Sequence, residues 1–290
     1  MKHLFLSLAL IAIALPFTSC SDDKNEPIST PVTLVGNKML NATIKIADNS
    51  VNYVESANYS FVITPQNNDN PFVKVKASGI KFDSHMPVKV SFDMEDIKAK
   101  TTNDDYIIFE APTAKIYDTS GNEITNYAIT NVKGCIANTF IGCYALEYTV
   151  NGTWRVMACS NNLLTKVTDN NYDGNELFYS YALDVDDMKA EVYIFNVQFQ
   201  VGGASSPTLK KISIPDLDIN VTASGIELTG DGIVPTYYTG ANLDQATPYP
   251  ALTVTNFKST LNLRNGDHNI FFNCHDGEHK VTDKRLFLWN

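Results

Sequence analysis

The sequence predicts an all-β protein: two similar antiparallel β-barrel (or barrel-like sandwich) repeats that follow an export signal and a short tether. Three observations carry this. Short runs such as Thr43-Ile44-Lys45-Ile46, Val73-Lys74-Val75-Lys76, Val88-Lys89-Val90-Ser91-Phe92 and Ile212-Ser213-Ile214 alternate apolar and polar residues, as half-buried antiparallel strands do. Turn dipeptides separate such runs: Asn151-Gly152 and Asp276-Gly277 each lie between two strand-like segments and read as two-residue type I′ hairpins. The chain also copies itself. Ile129-Thr130-Asn131-Val132-Lys133 lies 125 residues before Val254-Thr255-Asn256-Phe257-Lys258, and Asn151-Gly152 lies 125 before Asp276-Gly277. A repeat of that length means two like domains or two halves of one sheet system, not a solenoid of small units.

In chain order, residues 1–20 come first. Lys2 and His3 precede a thirteen-residue apolar run, Leu4 to Pro16, and Phe17-Thr18-Ser19-Cys20 reads as a lipobox. A basic start, a short apolar stretch and small residues before the cut define a secretory signal, and a run this short does not span a ~30 Å hydrocarbon core. Cys20 is the expected lipidation site, its acyl chains supplying the two or more anchors that stable attachment requires. Residues 21–31 follow as an acidic tether, beginning Ser21-Asp22-Asp23-Lys24-Asn25-Glu26. The tether resembles the export signal behind the lipidated cysteine of surface lipoproteins of the Bacteroidetes. That resemblance implies an outer-membrane, lipid-anchored protein facing the cell exterior.

Residues 32–158 form the expected first repeat and 159–290 the second. Upstream of the 125-residue copy, the stretch from Pro87 through Phe92 to Ile97 precedes Pro207 and Ile212 to Leu217 by 120, and Asn58-Tyr59-Ser60-Phe61 precedes Asn196-Val197-Gln198-Phe199 by 138. The second repeat carries Ala190, Val192, Tyr193, Ile194 and Phe199, then Ile212, Ile214-Pro215, Leu217 and Ile219, then Ser224-Gly225-Ile226, Leu228 and Gly230, and closes with Leu252-Thr253-Val254 and Leu261-Asn262-Leu263. These patterns, over most of residues 175–275, resemble the calycin-like, or lipocalin-like, β-barrel domain of Bacteroidetes lipoproteins. The resemblance implies an eight-stranded meander closed on itself, wide enough for packed side chains or one small ligand. The first repeat departs from it, lacking the Ile-Pro pair and lengthening its hairpin between Thr64 and Ser84.

Composition excludes one class of partner. Over 290 residues the net charge is −10, and removing residues 1–20 takes one lysine and no acid, leaving 21 basic against 32 acidic groups. A nucleic-acid binder needs a clustered basic face, so nucleic acid is set aside and the lipid is the one membrane contact inferred. Four cysteines remain in the mature chain, Cys135, Cys143, Cys159 and Cys274. Their spacing repeats no disulfide or zinc framework, and four thiols allow three full pairings.

Chemistry is sparse. The chain holds no Gly-x-Ser-x-Gly elbow, no His-Glu-x-x-His, no phosphate-binding glycine loop and no Cys-x-x-Cys pair, the signatures of hydrolase, metalloprotease, nucleotide and redox sites. No catalytic residue and no cofactor is expected. An Asp276-Gly277 turn puts His275 opposite Glu278 and Cys274 opposite His279, soft and imidazole ligands of the kind zinc takes, but the two pairs point to opposite faces of the hairpin. The acidic pairs Asp186-Asp187, Glu95-Asp96 and Asp104-Asp105 likewise diverge on a strand, whereas glycoside hydrolysis needs two converging carboxyls. Tyr237, Tyr238, Tyr249 and Trp154, with Trp289, are the candidate platform for stacking a sugar, against the alternative that tyrosines cap the core with hydroxyls outward.

The reading is a non-catalytic binding or scaffold module on the cell surface for a glycan, a small apolar ligand or an envelope protein. The alternatives are a carbohydrate-active enzyme with an unrecognised site, and a fimbrial or adhesin subunit donating the strand Arg285 to Asn290.

Overall fold

The computed structural model describes residues 31–66, 69–102, 106–118, 120–137, 143–167, 177–197, 200–201, 204–205, 209–274 and 277–283. Cys20 with the tether to Thr30, His275, and the tail containing Trp289 lie outside the described residues. The alternating runs pair into two antiparallel systems. The first holds β1 (Val32–Lys45), β2 (Val51–Gln66), β3 (Asp69–Ile80), β4 (Val90–Thr102), β5 (Tyr106–Ala114), β6 (Ile116–Tyr117), β7 (Ile129–Ala137), β8 (Cys143–Val150) and β9 (Trp154–Cys159). The second holds β10 (Asn162–Val167), β11 (Leu177–Asp184), β12 (Lys189–Val197), β15 (Leu209–Val221), β16 (Gly225–Gly230), β17 (Thr236–Thr239), β18 (Gln245–Pro248), β19 (Thr255–Asn262), β20 (His268–Cys274) and β21 (Gly277–Asp283), with the small ribbon β13 (Gln200–Val201) and β14 (Ala204–Ser205) beside it.

The first system is a closed barrel. Its strands run β1-β2-β3-β4-β5-β7-β8-β9, and β9 returns to β1 through six pairs from Leu40↔Cys159 to Lys45↔Trp154. Closure leaves no open edge in the ring. Alternation along β2 sends Ala57, Tyr59, Phe61 and Ile63 inward, and Phe61 stacks on Tyr144 at 5.1 Å. Gly134 lies over the Phe109 ring, where a Cβ would come within 1.9 Å of Cζ. The interior is packed with side chains, among which Tyr59 donates to Asn41 Oδ1 at 2.6 Å and meets the Tyr148 hydroxyl at 3.2 Å.

The second system follows the same plan, β10-β11-β12-β15-β16-β19-β20-β21. The shared details are local as well. β6 adds to β4 at Asp93↔Tyr117 as β17 adds to β15 at Ser213↔Thr236. Asn131 and Asn256 both take positive φ, 52° and 51°, inside register shifts at equivalent places, Thr130/Lys133 and Thr255/Lys258. Asparagine tolerates this left-handed backbone where most residues do not. One expected match is misplaced: the strand order makes β11 the counterpart of β2, so Asn58 to Phe61 on β2 and Asn196-Val197 on β12 fall on non-equivalent strands, Gln198 and Phe199 lying outside the described residues. The second system also differs in closure. Among the described residues β10 and β21 are not paired, and the system is a half-barrel.

The half-barrel packs on the outside of the barrel. Leu40, Ala42 and Ile44 of β1, Ala145 of β8 and Met157 and Cys159 of β9 join one hydrophobic cluster with Tyr179, Tyr181, Val192, Ile214 and Leu228. β8 and β9 are therefore buried on both faces, which is why they read as nearly continuous apolar runs. Burying a Leu, Ile or Met there contributes about 1.5–3 kcal/mol each. At the rim Arg155 donates to the Ala223 carbonyl, and Arg264 pairs with Glu147 at 3.3 Å.

Candidate functional site

On β12 and β15 the inward residues Val192, Ile194, Ile212 and Ile214 are buried. Their neighbours, Glu191, Tyr193 and Phe195 on β12 and Lys211 and Ser213 on β15, take the other face. Tyr193 pairs with Ser213 and Phe195 with Lys211. The β17–β18 hairpin continues that face, because β17 pairs with β15 at Ile212↔Tyr237 and Ser213↔Thr236, which sets Tyr238 beside Lys211. The result is a half-buried cluster on the outer side of the half-barrel.

Its geometry is specific. The Lys211 ammonium lies 4.4 Å from the centre of the Tyr193 ring and 4.2 Å from that of Tyr238, a double cation–π contact, each of about 0.5–2 kcal/mol depending on desolvation. No carboxylate lies within ion-pair distance of it among the described residues. Tyr193 donates its hydroxyl to Glu191 Oε2 at 2.6 Å, and Ser213 donates to Oε1. Both oxygens of Glu191 are thus held in place. Burial pushes Lys211 below the ordinary lysine range, with Glu191 opposing, and pushes the phenols of Tyr193 and Tyr238 up with help from Glu191. At neutral pH the phenols are neutral donors.

The structure divides the expected tyrosine platform. Neighbours on a strand face opposite ways, so Tyr237 turns to the inner side and meets Tyr249 edge-on at 5.5 Å, with Tyr249 against the core. Tyr238 alone of the expected residues joins the outer cluster. Trp154 packs half-buried against the core of the first barrel, away from these tyrosines. Sequence reasoning missed Glu191, Tyr193 and Lys211 as site residues. The available signal was Glu191-Val192-Tyr193-Ile194-Phe195, an alternation whose water-facing side carries two aromatic rings.

The expected ligand set at the last hairpin is corrected. The observed register is Cys274↔Gly277, Asn273↔Glu278 and Phe272↔His279, so each residue meets a partner two places from the expected one, because Gly277 at φ 115° begins β21 instead of completing the turn. Cys274 therefore does not face His279. The His279 ring packs on Phe272 at 4.7 Å and reaches the Tyr179 hydroxyl at 2.8 Å, while Glu278 is exposed on the other face. Among the described residues no three His, Cys, Asp or Glu side chains converge on a metal position.

Two other places hold polar groups. A cavity of about 320 Å³ lies between Ser56 of β2, Asn161 and the turn Leu183 to Asp187. Asp184 there accepts the backbone N–H groups of Asp186 and Asp187, a turn-building role. Inside the half-barrel His268 is fully buried, bonds through Nε2 with the Tyr181 hydroxyl, and is pushed down to about 4 by burial. Of the acidic pairs, Glu95 is engaged by Lys74 at 2.5 Å, and Asp104-Asp105 lies outside the described residues.

Compared with known proteins, the chain matches no protein-family model, no curated protein sequence and no solved structure. The functional reading rests on the chemistry of the face itself.

Proposed function

We propose that this is a non-catalytic, lipid-anchored binding protein of the outer membrane that holds a glycan from outside the cell against the β12–β15–β17 face of its half-barrel. The observation that carries the reading is the pair of half-buried rings, Tyr193 and Tyr238, set around Lys211 with Glu191 fixed alongside. Aromatic side chains with one apolar face and a polar tip suit surfaces that are partly wet, and sugars present an apolar ring face edged with hydroxyls. The first barrel supports the choice of an outer face, because its interior is packed with side chains and the second system is the one that adds the hairpin carrying Tyr238. The barrel acts as the support against which the half-barrel is pressed.

The test is a glycan array probed with the mature chain, residues 21–290, alongside a Tyr238→Ala variant of matched thermal stability. Binding to a glycan class that the variant loses supports the reading. A flat array contradicts it. The anchor is tested separately by fatty-acid labelling in the native host, where Cys20→Ala is expected to remove the label and equal labelling would overturn lipidation at that residue.

A further inference from the structure

Resting on the glycan-binding reading, we infer that the ligand of the β12–β15–β17 face is a neutral saccharide, selected against acidic and amino sugars by Lys211 and Glu191 acting together. The geometry sets a held donor between the two rings and a held acceptor at the hydroxyl of one of them. Lys211 is pinned between Tyr193 and Tyr238 by its distances of 4.4 and 4.2 Å to the two ring centres, and no protein carboxylate within ion-pair distance takes up its N–H groups among the described residues. The Glu191 carboxylate is pinned by Tyr193 and Ser213, and each oxygen, with two lone pairs, keeps acceptor capacity beyond the single bond it receives.

A hydroxyl both donates and accepts. A sugar ring laid over the exposed part of the two rings offers neighbouring hydroxyls that accept from Lys211 at one end and donate to Glu191 at the other. A uronate or sulfate gains at Lys211 but meets Glu191, whose charge is close enough to raise the Tyr193, Tyr238 and Lys211 proton affinities. An amino sugar gains at Glu191 and meets Lys211. Like-charge juxtaposition is how sites reject a wrong partner. The whole chain adds to the rejection of acids, since its net charge is −10, and charge of one sign lowers the local concentration of like-charged ligands.

The experiment compares sugars that share a backbone and differ in charge, with cellohexaose, its uronate counterpart and chitosan hexamer as one such trio and array-positive glycans treated the same way. Calorimetry on the mature chain is expected to show the neutral member binding at least about tenfold tighter than either charged member, with an affinity almost independent of salt between 50 and 500 mM, a range over which the Debye length falls about threefold and attraction between exposed charges would weaken. Lys211→Met is expected to weaken the neutral ligand by roughly tenfold, the loss of a hydrogen bond to a charged group, and Glu191→Gln to improve the uronate relative to the neutral sugar. Because Glu191 also holds Tyr193 and Ser213, the Gln variant keeps those acceptors on one side, and its melting temperature is matched to the wild type before affinities are compared. An acidic or amino member that binds as tightly as the neutral one overturns the selection while leaving glycan binding standing. A trio and an array that are both silent overturn the glycan reading itself.

Discussion

The barrel and the half-barrel follow one strand plan, and only the first is closed by its own ladder. In the first, β1 and β9 complete the ring with a backbone ladder, Leu40↔Cys159 to Lys45↔Trp154. In the second, side chains reach across instead: Tyr181 to His268, and Tyr179 to His279, joining β11 to β20 and β21. Backbone closure satisfies every group on two strand edges at once and depends little on which side chains are present. Side-chain bridging depends on the identity of the residues that reach across. The difference teaches that the same plan yields a rigid support in one half and, in the other, a sheet shaped by contacts outside its own ladder.

The largest expected effect breaks the contact between the halves. Leu40 faces away from its own barrel and into the shared cluster, so Leu40→Ala is expected to cost about 2–5 kcal/mol and to separate one cooperative urea transition into two. A single transition with unchanged midpoint would mean that the halves do not lean on each other. Next comes acid. Burial lowers His268 from an ordinary 6.5 to about 4, so the unfolded chain takes up a proton before the folded one does. Stability is then complete above about pH 6.5 and falls as pH drops toward about 4, by roughly 3 kcal/mol in all. The first barrel has no buried histidine among its described residues, its His85 being exposed in a loop. Subtracting the profile of His268→Gln should remove this slope; identical profiles would refute the role of His268.

Smaller effects sharpen the comparison. Tyr181→Phe strips a partner from buried His268 and Tyr59→Phe strips one from buried Asn41, so each is expected to cost about 1–3 kcal/mol by urea unfolding; a negligible cost at Tyr181 alone would show that the half-barrel is not braced by that contact. Smallest is thiol reactivity. Burial pushes Cys135, Cys143 and Cys159 up to about 12, 11 and 12, whereas Cys274 is half-buried. A disulfide reagent at pH 8 should label Cys274 first in the native chain, since the thiolate is the reactive form. Fast labelling of any of the other three would show the outer face of β7 to β9 to be open.

Much of the fold is legible where a strand with one wet face keeps its local alternation. Alternation at Val73 to Lys76 on β3 and at Ile212 to Ile214 on β15 separates inward from outward residues, whereas Ile46 and Val88, at the ends of two other such runs, are exposed; the copied Asn131 and Asn256 segments fall at equivalent bulges. The double burial of β8 and β9 was present as Tyr144-Ala145-Leu146 and Val156-Met157-Ala158-Cys159, runs too apolar for a strand with one wet face. What alternation cannot convey is which strands meet. Tyr193, Lys211 and Tyr238 are brought together by ladder register, which bulges such as that between Ala190 and Val192 reset, and adjacent tyrosines were grouped although Tyr237 and Tyr238 face opposite ways. At the last hairpin the Asp-Gly signal places the turn one residue late; Gly277 opens β21, and each cross-strand partner moves by two residues, which keeps faces and changes neighbours.

On the proposed reading the half-barrel's outer face grips sugar while the barrel supports it. The most direct measurement is calorimetry of an array-positive neutral glycan against two variants of the mature chain, Tyr238→Ala on the outer face and Trp154→Phe on the first barrel, each checked for a native melting profile. The account predicts a loss of affinity of roughly tenfold or more for Tyr238→Ala, in the range aromatic contacts supply, and no change for Trp154→Phe. Wild-type affinity in Tyr238→Ala, or a loss confined to Trp154→Phe, would contradict it.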